Sequence, residues 1–227
     1  QHRFSTIICI SRAEANSLQM RLGLGPDRVK VVHTQVDTEF FHPSKVESAP
    51  AEQRHIESLG LSCRDYPTLI RAMRLLPNIT CHLRAGSSWV SQKAGYESEV
   101  IPHNVRLEPF VHPRLLRECY AMSRFVVIPL RQTTQWSAGC TTVQHAQAMG
   151  KPVIATRLPG LADYVIDGET GILVDPGDHT ALAEAIEYLW NDPDKASAMG
   201  HRGRRWIGEM FSLDQWVDRI AAIVESG

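Results

Sequence analysis

Between Ser137 and Thr156 the chain reads SAGCTTVQHAQAMGKPVIAT, and the opening of this stretch has the residue types that bind an anion. Gly139 permits a tight turn, and Thr141 and Thr142 can cap the helix that follows. A helix entered in this way presents unpaired backbone N–H groups and the positive end of its dipole, and phosphate is the natural guest of that pair. Gly139, Cys140, Thr141 and Thr142 are therefore candidate ligands of a nucleotide diphosphate. The helix closes at Met149-Gly150. On its amino-terminal side, Phe125 to Leu130 is a short apolar run rich in β-branched residues, and on the other side Pro152-Val153-Ile154-Ala155 starts a second one. Both read as parallel strands buried on two faces, so the helix is delivered between two inner strands.

The same alternation fills most of the chain. Strands are expected near 5–10, 29–33, 54–59, 79–84, 104–108, 124–129, 152–155 and 171–174. Helices are expected near 11–22, 66–76, 113–122, 140–149, 159–166, 179–190, 193–208 and 212–225, with Asp178 and Ser212 as N-caps. Strand and helix in turn predict an α/β fold: a Rossmann-like, doubly wound, mostly parallel sheet with helices on both faces. The stretch 37–53 lacks periodic apolar spacing and carries prolines and serines, which reads as a linker. It divides the chain into a short strand-helix-strand piece, 1–45, too small to own a core, and a main domain, 46–227. A second irregular stretch, 87–104, leaves the carboxyl end of a strand, the side on which open α/β sheets place ligands. It reads as a surface loop.

Composition narrows the function by exclusion. The 227 residues are 43% hydrophobic, enough for a sizeable core. Lys and Arg number 24 against 25 Asp and Glu, a formal net charge of -1, so no bulk field points to nucleic acid or to an anionic membrane. Binding must come from a local site. The five cysteines are scattered without metal-like spacing, which suits reduced thiols in a cytoplasmic protein and lends no support to a metal site. No run of about 18 apolar residues suggests a membrane span.

Five segments in order carry a resemblance. They are VKVVHTQVDTEFFHP (30–43), ESLGLSCRDYPTLIRAM (57–73), VRLEPFV (105–111), the segment from Ser137 already quoted, and LPGLADYVIDGETGILVDPGDHTALAEAI (158–186). Together they resemble the carboxyl-terminal half of GT-B glycosyltransferases, in particular the large retaining family 4. The resemblance implies a domain that binds a nucleoside-diphosphate sugar, UDP- or GDP-linked, and transfers the sugar with retention to a saccharide, lipid-linked or related acceptor. It implies no required cofactor or metal. The first 40 or so residues resemble only the closing strand-helix-strand of an amino-terminal acceptor domain, which the same gene or a separate subunit would supply; until then little or no transfer is expected.

The resemblance also names residues. Arg64 stands close to a basic position of the family that forks onto the diphosphate, the alternative being a solvated charge beside Asp65. Leu61 occupies the place of a second basic residue. The family's two glutamates, one facing the donor sugar and one accepting from the ribose hydroxyls, correspond here to Ser137 and His145. A neutral imidazole still accepts one hydroxyl proton but lacks a carboxylate's charge and second oxygen. Phe110 stands where an apolar side chain packs beside the base, or else it is core.

Other motifs are assigned to structure. Asp192-Pro193-Asp194 imitates a metal-binding acidic pair but reads as a helix cap, and Asp175-Pro176-Gly177-Asp178 as a turn. His201, Arg202, Arg204, Arg205 and Trp206 read as a solvated helix end, with peripheral contact to a membrane-bound acceptor as the alternative. Two other functions remain open: a non-catalytic nucleotide-sugar-binding module, favoured by the missing glutamates, and a sugar-nucleotide epimerase of the same architecture.

Overall fold

The computed structural model describes residues 6–46, 55–86 and 94–225. Two parallel sheets are present. In the first, β1 (Ile7–Cys9) pairs with β2 (Val29–Val31), and α1 (Arg12–Leu22) crosses between them. Only Cys9, Ala15 and Val29 are buried together there, a cluster of three among the described residues. The second sheet has six strands: β3 (His55–Leu59), β4 (Thr80–Arg84), β5 (Val105–Leu107), β6 (Val126–Ile128), β7 (Val153–Thr156) and β8 (Gly171–Val174). All pairings are parallel, in the order β5-β4-β3-β6-β7-β8. Winding runs outward from β3 to β5, returns, and runs outward again from β6 to β8. The topological switch point is therefore the gap between β3 and β6, where such sheets open a crevice beyond their carboxyl ends.

Helices cover both faces, as the apolar runs require. Phe125 and Val127 face a core shared with α2 (Tyr66–Arg74) and α5 (His179–Asn191). Val126 and Ile128 face the other core, shared with α3 (Pro113–Met122) and α4 (Cys140–Ala148). A strand buried on both sides has no polar face to show, and hence its continuous hydrophobic sequence. The long α6 (Pro193–Met210) contributes Met199 to one core and Ile207 to the other, and α7 (Leu213–Glu225) closes the described chain. Both predicted N-caps of the acidic kind are real: Asp178 accepts from Thr180 and Ala181 N–H, and Asp192 from Lys195 N–H.

Two expectations need correction. The segment 159–166 is a run of turns, with Leu161 N–H donating to Leu158 O and Tyr164 N–H to Leu161 O. Its apolar residues do pack, but Pro159 opens the segment and Gly160 lies so close to the Trp136 carbonyl that a Cβ would stand 2.2 Å from the oxygen. The polar residues of this segment are spent on the first sheet: Asp163 accepts from Arg12 N–H at 2.7 Å and faces His33 Nε2 at 3.1 Å, while the Tyr164 hydroxyl donates to Ile10 O. The linker 37–53 is also more structured than its composition suggests. Phe41 is buried in the main core, and residues 43–45 form one 3-10 turn. Its remainder, 47–53, and residues 87–93 of the expected surface loop lie outside the described residues; the rest of that loop, 94–104, contains neither helix nor strand.

Candidate functional site

At the switch point the loop after β3 and the loop leading to α4 enclose a cleft of about 390 Å³. Seven of the eight residues expected from the sequence line it: Arg64, Phe110, Ser137, Gly139, Thr141, Thr142 and His145.

Arg64 is the electrostatic centre. The loop carrying it is pinned to the end of β6, because Asp65 N–H donates to Pro129 O and Arg131 N–H to Cys63 O. This path takes Cys63 through a left-handed conformation, φ 58°. Gly60, at φ +103°, leaves the space that the guanidinium fills; a Cβ there would stand 2.6 Å from an Arg64 terminal nitrogen. Arg64 is only 4% exposed. It donates from Nε to Leu59 O at 3.0 Å, from one terminal nitrogen to Ser62 O at 3.3 Å, and from the other to Thr142 Oγ1 at 2.8 Å. No carboxylate reaches ion-pair distance among the described residues. Burial accordingly lowers the pKa of the guanidinium, partly offset by Tyr66, Tyr120 and Cys63. A buried cation with neutral acceptors and no counter-ion is costly by itself and is relieved by an anion.

The amino terminus of α4 faces the same space. Gly139 is its N-cap at φ 83°, without a side-chain cap. The first intrahelical bond runs from Val143 N–H to Gly139 O. The N–H groups of Thr141 and Thr142 precede it and have no carbonyl four residues back within the helix. Cys140 behaves differently from its neighbours. Its N–H donates to Ser137 O at 3.2 Å, and its thiol is buried toward Trp136 O and Gly160 O. Burial pushes that thiol up to about 12, and Cys140 does not line the cleft.

His145 stands one turn further along α4. Its ring stacks on Phe41 at 3.8 Å and 18° and meets the edge of Tyr120 at 6.2 Å. Desolvation lowers its pKa to about 4, so the imidazole is neutral near pH 7 and offers an acceptor nitrogen. His145 thus both packs against aromatic rings and lines the cleft. Phe110 is half-buried at the cleft wall. Its Cβ occupies the space above Gly86, where an added Cβ would stand 2.3 Å away. Ser137 is exposed at the mouth, 3.5 Å from Gln135 Nε2.

Sequence reasoning missed several residues. Gly60 and Gly86 clear room for Arg64 and Phe110, and Tyr120 and Gln135 complete the wall. The two glycines each follow a strand and were the available signal. A separate cluster went unseen because it joins two strands: Glu57, fully buried, lies 2.8 Å from Arg84 Nε and 3.6 Å from His55 Nε2. His82 completes a group whose ligand-type atoms lie within 4.8 Å of one another. The imidazoles of His55 and His82 stack at 3.9 Å and 15°, so their lone pairs run in parallel planes and do not converge on a point.

Comparison with known proteins bears on the fold and the family. A D-inositol 3-phosphate glycosyltransferase of Catenulispora acidiphila is 29% identical over 97% of this chain and 57% of its own length. The chain thus spans just over half of that relative. Sucrose-phosphate synthase of Thermosynechococcus elongatus superposes with a TM-score of 0.82 at 22% identity, covering 97% of this chain and 58% of that one. Anabaena HepE in complex with UDP-glucose gives a TM-score of 0.82 at 18% identity, covering 98% and 64%. These likenesses establish the GT-B fold. The model of the glycosyl transferases group 1 matches residues 65–206, which run from the cap of α2 beside Arg64, through the α4 terminus, into α6, and the chain therefore belongs to that family.

Proposed function

We propose that this chain is the donor-binding half of a glycosyltransferase that moves a sugar from a nucleoside diphosphate to a saccharide or lipid-linked acceptor. The observation that carries the proposal is Arg64, a buried cation without a counter-ion, bonded to Thr142 at the start of α4. Its natural complement is a diphosphate. In this reading Arg64 and the N–H groups of Thr141 and Thr142 hold the two phosphates and offset the charge that develops as the sugar departs. His145 accepts a ribose hydroxyl, the base lies along Phe110, and the sugar extends toward Ser137. UDP or GDP fits this division of the cleft, and HepE, whose solved complex holds UDP-glucose, supports UDP as the first nucleotide to try. The resident charge comes from the protein, so the reading calls for no metal or cofactor.

Residues 1–45 are, in this proposal, the end of an acceptor domain that the rest of the protein or a second subunit completes, with the remainder of the chain as the nucleotide-sugar domain. The acceptor groups lie outside the chain, transfer proceeds with retention, and these 227 residues alone bind nucleotide without transferring sugar efficiently. None of the described helices is long and apolar enough to cross a membrane, which fits a cytoplasmic enzyme with at most peripheral membrane contact. Calorimetric titration with UDP, GDP and ADP tests the reading. Micromolar binding of one of the first two, lost when the diphosphate is removed, is the expected result. Absence of binding to all three sinks it.

A further inference from the structure

A second cavity is larger than the cleft. It measures about 520 Å³ and opens at the opposite, amino-terminal end of the inner strands, where Arg124 precedes β6 and Pro152 precedes β7. Arg124, Lys151, His201 and Arg204 line it together with the first turns of α6, and no carboxylate does. We propose that this cavity is a second binding site, recognising the phosphate group of a small phosphorylated ligand or of a lipid headgroup.

Two of its cations have structural work that explains part of their presence. Lys151 Nζ donates to Ala121 O at 2.9 Å in the last turn of α3, and Arg204 donates to Ala148 O, the last residue of α4. Cations at helix carboxyl ends are favourable in themselves. Each bond occupies one donor, however, leaving two on an ammonium and four on a guanidinium. Capping also does not account for the other two groups. Arg124 is held over the Trp190 ring at 4.8 Å, which fixes its guanidinium at the rim, and His201 stands between this cavity and a smaller one. The acidic influence on Arg204 is Glu39, which lines the smaller cavity with it and not the larger one. Two guanidinium groups and an ammonium thus share one hollow without a carboxylate in its described wall, and burial lowers the Lys151 pKa to about 8. The volume falls in the range of about 300–1,000 Å³ typical of small-molecule sites. Of the basic run His201–Trp206, read from the sequence as a solvated helix end, His201 and Arg204 line this cavity.

Amide NMR separates this site from the cleft. The isotope-labelled chain is titrated with inorganic pyrophosphate, Ala196 and Ser197 reporting on the cavity and Thr141 and Thr142 on the cleft. Both pairs are expected to shift. Arg124→Gln and His201→Gln, neither of which removes a helix cap, should each move the Ala196 and Ser197 response to about tenfold higher concentration, the worth of one charged hydrogen bond, and leave the cleft pair unchanged. A parallel arm measures co-sedimentation with phosphatidylglycerol and with phosphatidylcholine vesicles. Selective binding to the former, lost in both variants, assigns the phosphate to a lipid; no vesicle binding with an intact pyrophosphate response assigns it to a soluble ligand. If Ala196 and Ser197 do not respond to pyrophosphate and no vesicle binds, or if both variants respond as the unsubstituted chain does, the proposal is overturned.

Discussion

Replacing Arg64 by methionine separates the cost of this residue from its use. The side chain now makes three hydrogen bonds, to Leu59 O, Ser62 O and Thr142 Oγ1, at 3.0, 3.3 and 2.8 Å. Losing them leaves two carbonyls and a hydroxyl short of a donor, at about 1–3 kcal/mol for each that stays dry. Against this, a desolvated charge without a carboxylate partner disappears, which is worth a similar amount in the opposite direction. Unliganded Arg64→Met is therefore expected to fold, with a net stability change of roughly 2 kcal/mol or less, since both terms are of that size. Ligand binding has no such offset. A charged hydrogen bond to phosphate contributes about 1.5–3 kcal/mol, so UDP affinity should fall by roughly 10- to 150-fold. At a UDP concentration 100 times the wild-type Kd, ligand stabilises the wild type by about 2.7 kcal/mol. A variant weakened about 100-fold retains only about 0.4 kcal/mol of that at the same concentration, by the same relation. For a chain of this length that difference is a thermal shift of several degrees, reduced to about one. Calorimetry and thermal melts with UDP, pyrophosphate and uridine measure it, with Arg64→Lys as the charge-preserving control. The reasoning fails if Arg64→Met binds UDP within about threefold of wild type, or if uridine loses as much affinity as UDP, because loss of a phosphate-binding group weakens only UDP.

Three further outcomes are expected. His145, with its folded pKa lowered to about 4, should show by NMR a ring that stays neutral through pH 6. The unfolded chain takes up this proton first, near pH 6.5, so the contribution to stability is complete above that value and is lost as the pH falls toward 4; a titration midpoint above 6 contradicts the burial argument. Gly60→Ala places a methyl 2.6 Å from the Arg64 guanidinium at φ +103° and should weaken nucleotide binding and lower stability by more than about 1 kcal/mol; unchanged UDP binding would show that Arg64 has another place to go. Asn104→Ala removes the Nδ2 donor shared by Met73, Leu76 and Ile79 carbonyls at the end of α2, and should cost about 2–4 kcal/mol in chemical denaturation without altering UDP binding beyond the stability change.

Much of the fold is legible locally. The two-face burial of β6 and β7 is written in their unbroken apolar runs, and the entry into α4 in the glycine that must take positive φ. The same kind of reading went astray at 159–166, because apolar spacing reports which residues are buried and not which backbone carries them. Gly160 under the Trp136 carbonyl, and Asp163 and Tyr164 reaching to the first sheet, are contacts with residues far away in the chain. Phe41 was hidden for a related reason: one aromatic in a proline- and serine-bearing stretch has no periodicity, yet it packs on His145, 104 positions later by the numbering.

For the site the division is sharper. By itself the sequence determined the alternation of strands and helices, the helix start at Gly139 and, through its resemblance, the residue types at 64, 110, 137 and 145. These depend on backbone preference and short-range pattern, which act within one or two turns. Tertiary structure alone decided the strand order that puts the loops after β3 and β6 side by side, and with it the meeting of Arg64 and Thr142 across 78 residues. It also decided which groups lose water. Arg64 became a buried cation with no carboxylate partner among the described residues and His145 a neutral acceptor, while Cys140, beside Thr141 at the start of α4, was turned into the core. Desolvation depends on everything packed around a group, and no local spacing encodes it.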